Sequence, residues 1–87
     1  MIKMNTYIKK ALINKYIADF DAEMVNLTNL VYNSVGIGDH TDIVGEADKI
    51  VEKIADTYDK LSIVDVDGSV RNDLRKNITW LWEEKND

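Results

Sequence analysis

The chain has 87 residues, no Cys, no Pro and a formal net charge of −5. A chain this short makes one domain, buries only about 60% of its unfolded surface, and without Cys has neither disulfides nor thiolate metal sites to supplement its core. Its acidity argues against broad affinity for nucleic-acid backbones, and no run approaches the ~18 apolar residues of a membrane span.

The first predicted helix runs over about 3–18. Met4, Ile8, Leu12 and Tyr16 line one face, with Ile13, Ile17 and Phe20 beside it, so the apolar face is wide enough to need more than one neighbour. Residues 1 to 18 hold Lys3, Lys9, Lys10 and Lys15 and no acid, whereas the rest of the chain holds seven bases and all sixteen acids. Lys9, Lys10 and Lys15 therefore read as a solvated face set against the acids of a neighbour, rather than as an anchor for an anionic surface. The N-terminal stretch lacks the uninterrupted apolar core and small-residue cleavage site of a signal peptide, which points to the cytoplasm.

Asp19 and Asp21 are plausible breakers, with Asp21 a candidate N-cap for a second helix over about 22–34. Met24, Leu27, Val31 and Val35 form its stripe, while Leu30 and Tyr32 fall outside it. Asn26, Thr28, Asn29 and Asn33 make this segment a poor helix by propensity, so packing has to hold it. Segments one and two also read as one bent helix. A turn follows at Gly36-Ile37-Gly38-Asp39-His40, and Gly36 is a natural helix stop.

The long helix over about 41–62 is the clearest element. Ile43, Val44, Ala47, Ile50, Val51, Ile54, Tyr58 and Leu61 recur at steps of three and four, and the opposite face is charged. Thr41 or Asp39 is expected to cap it, with Asp42 and Glu46 suiting its positive end. The run Ile63-Val64-Asp65-Val66 is β-like in composition but has no partner strand, so it reads as a connection. Asp67-Gly68 marks a turn. Ser69 is the expected cap of a last helix over about 70–84, with the stripe Val70, Leu74, Ile78, Leu81 and Trp82. Trp82 is expected in the core and Trp80 well off the stripe.

The candidate chemical motifs are weak. His40 is the one histidine, and no second His or Cys stands at ligand spacing, so a capping loop residue is the better reading than a metal ligand or general base. Gly36-x-Gly38 begins a dinucleotide fingerprint, but position 41 is Thr and the element before it is helical. A phosphate there would also meet Asp39, Asp42 and Glu46. Asp65-x-Asp67-Gly68 resembles the start of a calcium loop, yet either alignment puts Leu74 or Lys76 where a bidentate Glu is required. Asn26-Leu27-Thr28 and Asn77-Ile78-Thr79 match the glycosylation triplet, without a secretion signal to give the match weight. No nucleophile motif surrounds any Ser, Thr or Lys. Trp80 reads equally as an interface anchor, if exposed, or as a Trp lying over its own helix pair.

The stretch Leu27 to Leu61 resembles small proteins encoded by tailed phages of marine cyanobacteria. Leu30-Val31-Tyr32-Asn33, Gly36 through Ile43 and the helix ending Asp59-Lys60-Leu61 carry the likeness, over less than half of the chain. It implies a phage or marine metagenomic source and an accessory role on a host factor. It carries over no functional residue.

Together these features predict an all-α protein, a single domain over 1–87 forming a small bundle of three to four helices around the long 41–62 helix. The expected role is a non-enzymatic interaction protein, without cofactor or metal. It would act as a homo-oligomer, preferentially a dimer, or on a host or phage protein. The interaction candidates are Lys9, Lys10, Lys15, Tyr16, Trp80 and His40. One alternative is a protein that sequesters a small ligand or nucleotide between protomers, using His40, Asn33, Trp80 and Arg75. Another is a nucleic-acid binder through the basic N-terminal helix, with Tyr7 and Tyr16 interleaved.

Overall fold

A computed structural model describes residues 2–33 and 42–83, with side chains described over 5–32 and 42–83. The described residues form three helices and no strand: α1 (Ile2–Asn33), α2 (Ile43–Val64) and α3 (Ser69–Trp82). The expected turn at 36–40, the cap candidates Asp39 and Thr41, His40, Val35 and the end of the last expected helix lie outside the described residues, as do the side chains of Met4 and Asn33.

The two expected N-terminal helices are one. α1 runs for 32 residues through Asp19 and Asp21, and it, not α2, is the longest element. No Gly or Pro interrupts it. An Asp on a solvent face costs well under 1 kcal/mol of helix propensity, and Asp19 recovers part of that by accepting a hydrogen bond from Lys15 one turn earlier, at 3.3 Å. Two acids are too weak a signal to break a helix whose other face is held by packing.

That face is centred one residue set further along than the sequence suggests. Phe20 is fully buried and Leu27 nearly so, with Ile13, Tyr16 and Met24 packed beside them. Ile8, expected in the stripe, is 52% exposed. Length explains the shift: α1 is about 48 Å long against about 33 Å for α2, so α1 overhangs its partner. Lys9 and Ile13 already lie against Val64 to Val70, leaving the residues before them past the α2–α3 turn.

α2 pairs antiparallel with α1. Tyr16 of α1 lies near Lys60 late in α2, whereas Met24 and Leu27 meet Val51 and Ile54 near its middle. α2 starts at Ile43 behind Asp42, whose carboxylate accepts from the Gly45 amide at 2.9 Å. The helix then runs on through Ile63 and Val64, which the sequence reading placed in a connection. Their β-branched side chains lower helix propensity only slightly, and Asp65 ends the helix one residue later. Ile54 and Leu61 are buried as expected, and Ile50 is half-buried against them. Thr57 is buried too, its hydroxyl donating to the Lys53 carbonyl at 3.0 Å, so the polar atom is satisfied within its own helix.

α3 returns antiparallel to α2 and adds Leu74 and Leu81 to the same core. Trp82 is not a core residue: it is 57% exposed, whereas Leu81, also in the expected stripe, is buried. Residues four apart advance by about 40° around a helix beyond a full turn. The run Val70, Leu74, Ile78, Trp82 therefore drifts off the core face, and a step of three from Ile78 to Leu81 brings the stripe back.

The shape is a slab. The Cα atoms extend 56 × 29 × 14 Å with a radius of gyration of 15.9 Å, against about 12 Å for a compact chain of this length.

Candidate interaction surface

The two ends of the α2–α3 hairpin differ sharply. At the turn, Asp65 organises everything. Its amide donates to the Leu61 carbonyl at 2.7 Å, ending α2, and its carbonyl accepts from the Gly68 amide at 3.1 Å, closing the turn. Its carboxylate accepts from the Val70 and Arg71 amides at 3.2 and 2.9 Å and from Arg71 Nε at 3.2 Å, while Arg71 Nη2 donates to the Asp65 carbonyl at 2.6 Å. Two of the orphan amides at the start of α3 are thus satisfied from Asp65. A third, on Ser69, donates to Asp67 Oδ1 at 3.0 Å. Ser69, the expected cap, makes no side-chain cap; the N-cap position belongs to Gly68, whose φ of 79° suits a residue without Cβ.

Asp65 is 3% exposed. Burial pushes its carboxyl up, but the Arg71 and Val70 amides, then the Arg71 side-chain hydrogen bond and charge, together hold it below the ordinary carboxylate value. Asp67 is also held low, chiefly by the Ser69 amide. The acidic turn that resembled a calcium loop therefore spends its carboxylates on α3, and among the described residues no group of acids and histidines suits a metal ion. Tyr58 completes this end by donating to the Arg71 carbonyl at 2.5 Å.

The other end is open. Where α3 stops, α1, α2 and α3 leave a groove of about 180 Å³ lined entirely by apolar residues. Leu27, Ile54 and Leu81 form its buried floor, Met24 and Ile78 its half-buried sides, and Val51, Ala55 and Trp82 its exposed lip. α3 is about 21 Å long, some 12 Å short of α2, so among the described residues no third helix covers the first turns of α2. Val44 and Val51, expected in the stripe, are accordingly 80% and 44% exposed.

The other sequence candidates are scattered. Lys15 pairs with Asp19 on its own helix. Lys9 lies in the cleft beside Asp67, close enough to help lower its pKa. Two of the three lysines expected to face acids of another chain, Lys9 and Lys15, thus have acids of their own chain nearby, and Lys10 is exposed. Tyr16 is half-buried with Lys60 Nζ 6.0 Å from its ring centre. Trp80 is 50% exposed and shares a depression with Arg75, but every lining residue there belongs to 72–83, so it is the flank of one helix and its C-cap rather than a cavity. His40 lies outside the described residues. An expectation of Trp82 in the core hides this groove, because Trp82 forms its lip. The available signal was the i, i+4 drift of the α3 stripe together with the shortness of that helix.

No protein-family model, no curated protein and no solved structure matches this chain. None of the described helices is long and apolar enough to cross a membrane.

Proposed function

We propose that the chain is a non-enzymatic interaction protein that works as a homodimer, its three helices closing into a small bundle only when a second copy covers the open side. The observation that carries this reading is the apolar groove at the end of the slab, with Trp82 exposed on its lip. A domain of this size has little stability to spare, and covering that groove is the available source of further burial. The all-apolar lining also sets this reading above the ligand-sequestering one: about 180 Å³ is below the few hundred Å³ of a small-molecule site, and orientation of a ligand needs convergent polar groups. The basic N-terminal helix has acids close by in its own chain, which weakens the nucleic-acid reading. An accessory role on a host factor, as in the phage proteins that residues 27–61 resemble, is compatible with such a dimer.

Light scattering on the eluting protein tests the proposal. At tens of micromolar, a mass of twice 10.0 kDa is expected, falling toward the monomer on dilution. A single species of monomer mass throughout that range would refute it.

A further inference from the structure

We infer that the seat of association is the groove itself, occupied by Trp82 of a second copy of this chain across a two-fold axis, with Arg75 of each copy facing Asp48 or Asp59 of the other. This rests on the self-association proposed above and specifies where it occurs.

A two-fold interface must be self-complementary, because the same patch is presented twice. This patch carries both halves. Its concave part is the wall of Val51 and Ala55 over the buried floor, and its convex part is Trp82, 57% exposed beside it. A Trp that enters an apolar seat is the commonest kind of interface anchor.

Position along the helix agrees. Among the described residues no third helix lies over the first turns of α2, directly past the end of α3 at Trp82. A two-fold through that end lays the partner's α3 terminus over the stretch of α2 that its own α3 does not reach. Val51, 44% exposed, lies at the edge of that stretch, beside Trp82 of its own chain.

Charge agrees as well. α3 carries Arg71, Arg75 and Lys76 against Asp73, whereas α2 carries Glu46, Asp48, Glu52, Asp56 and Asp59 against Lys49, Lys53 and Lys60. Placing α3 of one copy on α2 of the other therefore sets net positive against net negative. The spacing is specific. Arg75 is seven residues from Trp82, on the same helix face and about 10 Å away along the axis. Asp48, Val51, Ala55 and Asp59 follow at steps of three, four and four on one face of α2. Seating Trp82 between Val51 and Ala55 brings Arg75 within reach of Asp48 or Asp59, according to the direction in which the helices cross. Val25 on the outer face of α1 is 59% exposed but lines no part of the groove.

The test uses the whole chain in four forms: parent, Trp82→Ala, Ala55→Glu and Val25→Glu. The three substitutions fall at exposed positions, and circular dichroism checks that helix content is retained. The dimer dissociation constant is then measured by sedimentation equilibrium. Trp82→Ala and Ala55→Glu should each weaken dimerisation at least about tenfold, the range of a lost anchor, and Val25→Glu should leave it unchanged. Arg75→Glu should weaken it too, and Asp48→Arg or Asp59→Arg in the same chain should restore it. A dimer that survives both groove variants but not Val25→Glu places the seat on the outer face of α1 and overturns this inference while leaving self-association intact. A parent that never dimerises overturns both.

Discussion

The turn end and the open end of the α2–α3 hairpin both expose apolar side chains, but they solve different problems. At the turn, Val66 is 78% exposed and Ile63 76%, yet the backbone is fixed, because Asp65, Arg71 and Tyr58 satisfy one another and the helix termini. At the open end no polar network intervenes among the described residues, and the apolar side chains surround a groove. Exposure of an apolar residue is uninformative by itself. What separates a folding device from a binding surface here is whether exposed apolar groups are scattered over a satisfied backbone or gathered around a concavity.

The hardest test of this distinction is Ile54→Ala. Ile54 is 8% exposed and belongs both to the core and to the groove floor. Truncation should cost about 2–5 kcal/mol, enough in so small a domain to lower the thermal midpoint by many degrees or abolish folding. A variant that melts with the parent would mean the two regions are not joined through this residue.

Next comes the turn itself. Asp65→Asn keeps the shape but removes the charge that Arg71 and two amides use, with an expected cost of about 1.5–3 kcal/mol at neutral pH. The sign of its pH dependence is fixed. The folded pKa of Asp65 is depressed, so its stabilisation is complete above the unfolded carboxylate value of about 3.9 and is lost as pH falls through the lower folded value. Urea titrations of parent and variant should therefore differ most at pH 5 to 7 and converge toward pH 2. A constant difference over that range would show that the carboxylate charge is not what holds the turn.

The smallest effect is expected at the open end. Gly45 lies in the first turn of α2, where Ala normally stabilises a helix by about 1 kcal/mol. A Cβ at Gly45 would lie 2.2 Å from Asp42 Oδ2, so the cap would have to move, at a cost of about 1 kcal/mol. Gly45→Ala should thus leave the melting midpoint nearly where it was. A rise of several degrees would show that the Asp42 cap contributes nothing.

The sequence was most legible where one signal dominated. The three-four stripe located α2 to within two residues at either end, and the all-helical class followed from it and from the absence of Pro. It was least legible where two weak signals competed. Asp19 and Asp21 favour a break, and only the packing of Tyr16, Phe20 and Leu27 before, between and after them decides for continuity. Val64 and Asp65 look like a strand fragment until the carboxylate is seen to reach across the turn to residues 70 and 71, a tertiary event that no local pattern encodes. Leu81 and Trp82 are adjacent and both apolar. Which of them is buried depends on the phase of α3 against α2, which Leu74 and the length of the turn set together.

The reach of Asp65 also has a temporal consequence. Its bonds, and that between Tyr58 and Arg71, join residues close in sequence, whereas α1 meets α2 through residues as distant as Tyr16 and Lys60. Closing a short loop costs less entropy than closing a long one, and local contacts form sooner. The hairpin over 43–82 is therefore expected to assemble first, with α1 docking onto it afterwards. In stopped-flow refolding, removing the Asp65 charge should slow folding, whereas Phe20→Ala should mainly accelerate unfolding. The opposite pattern would make α1 part of the nucleus.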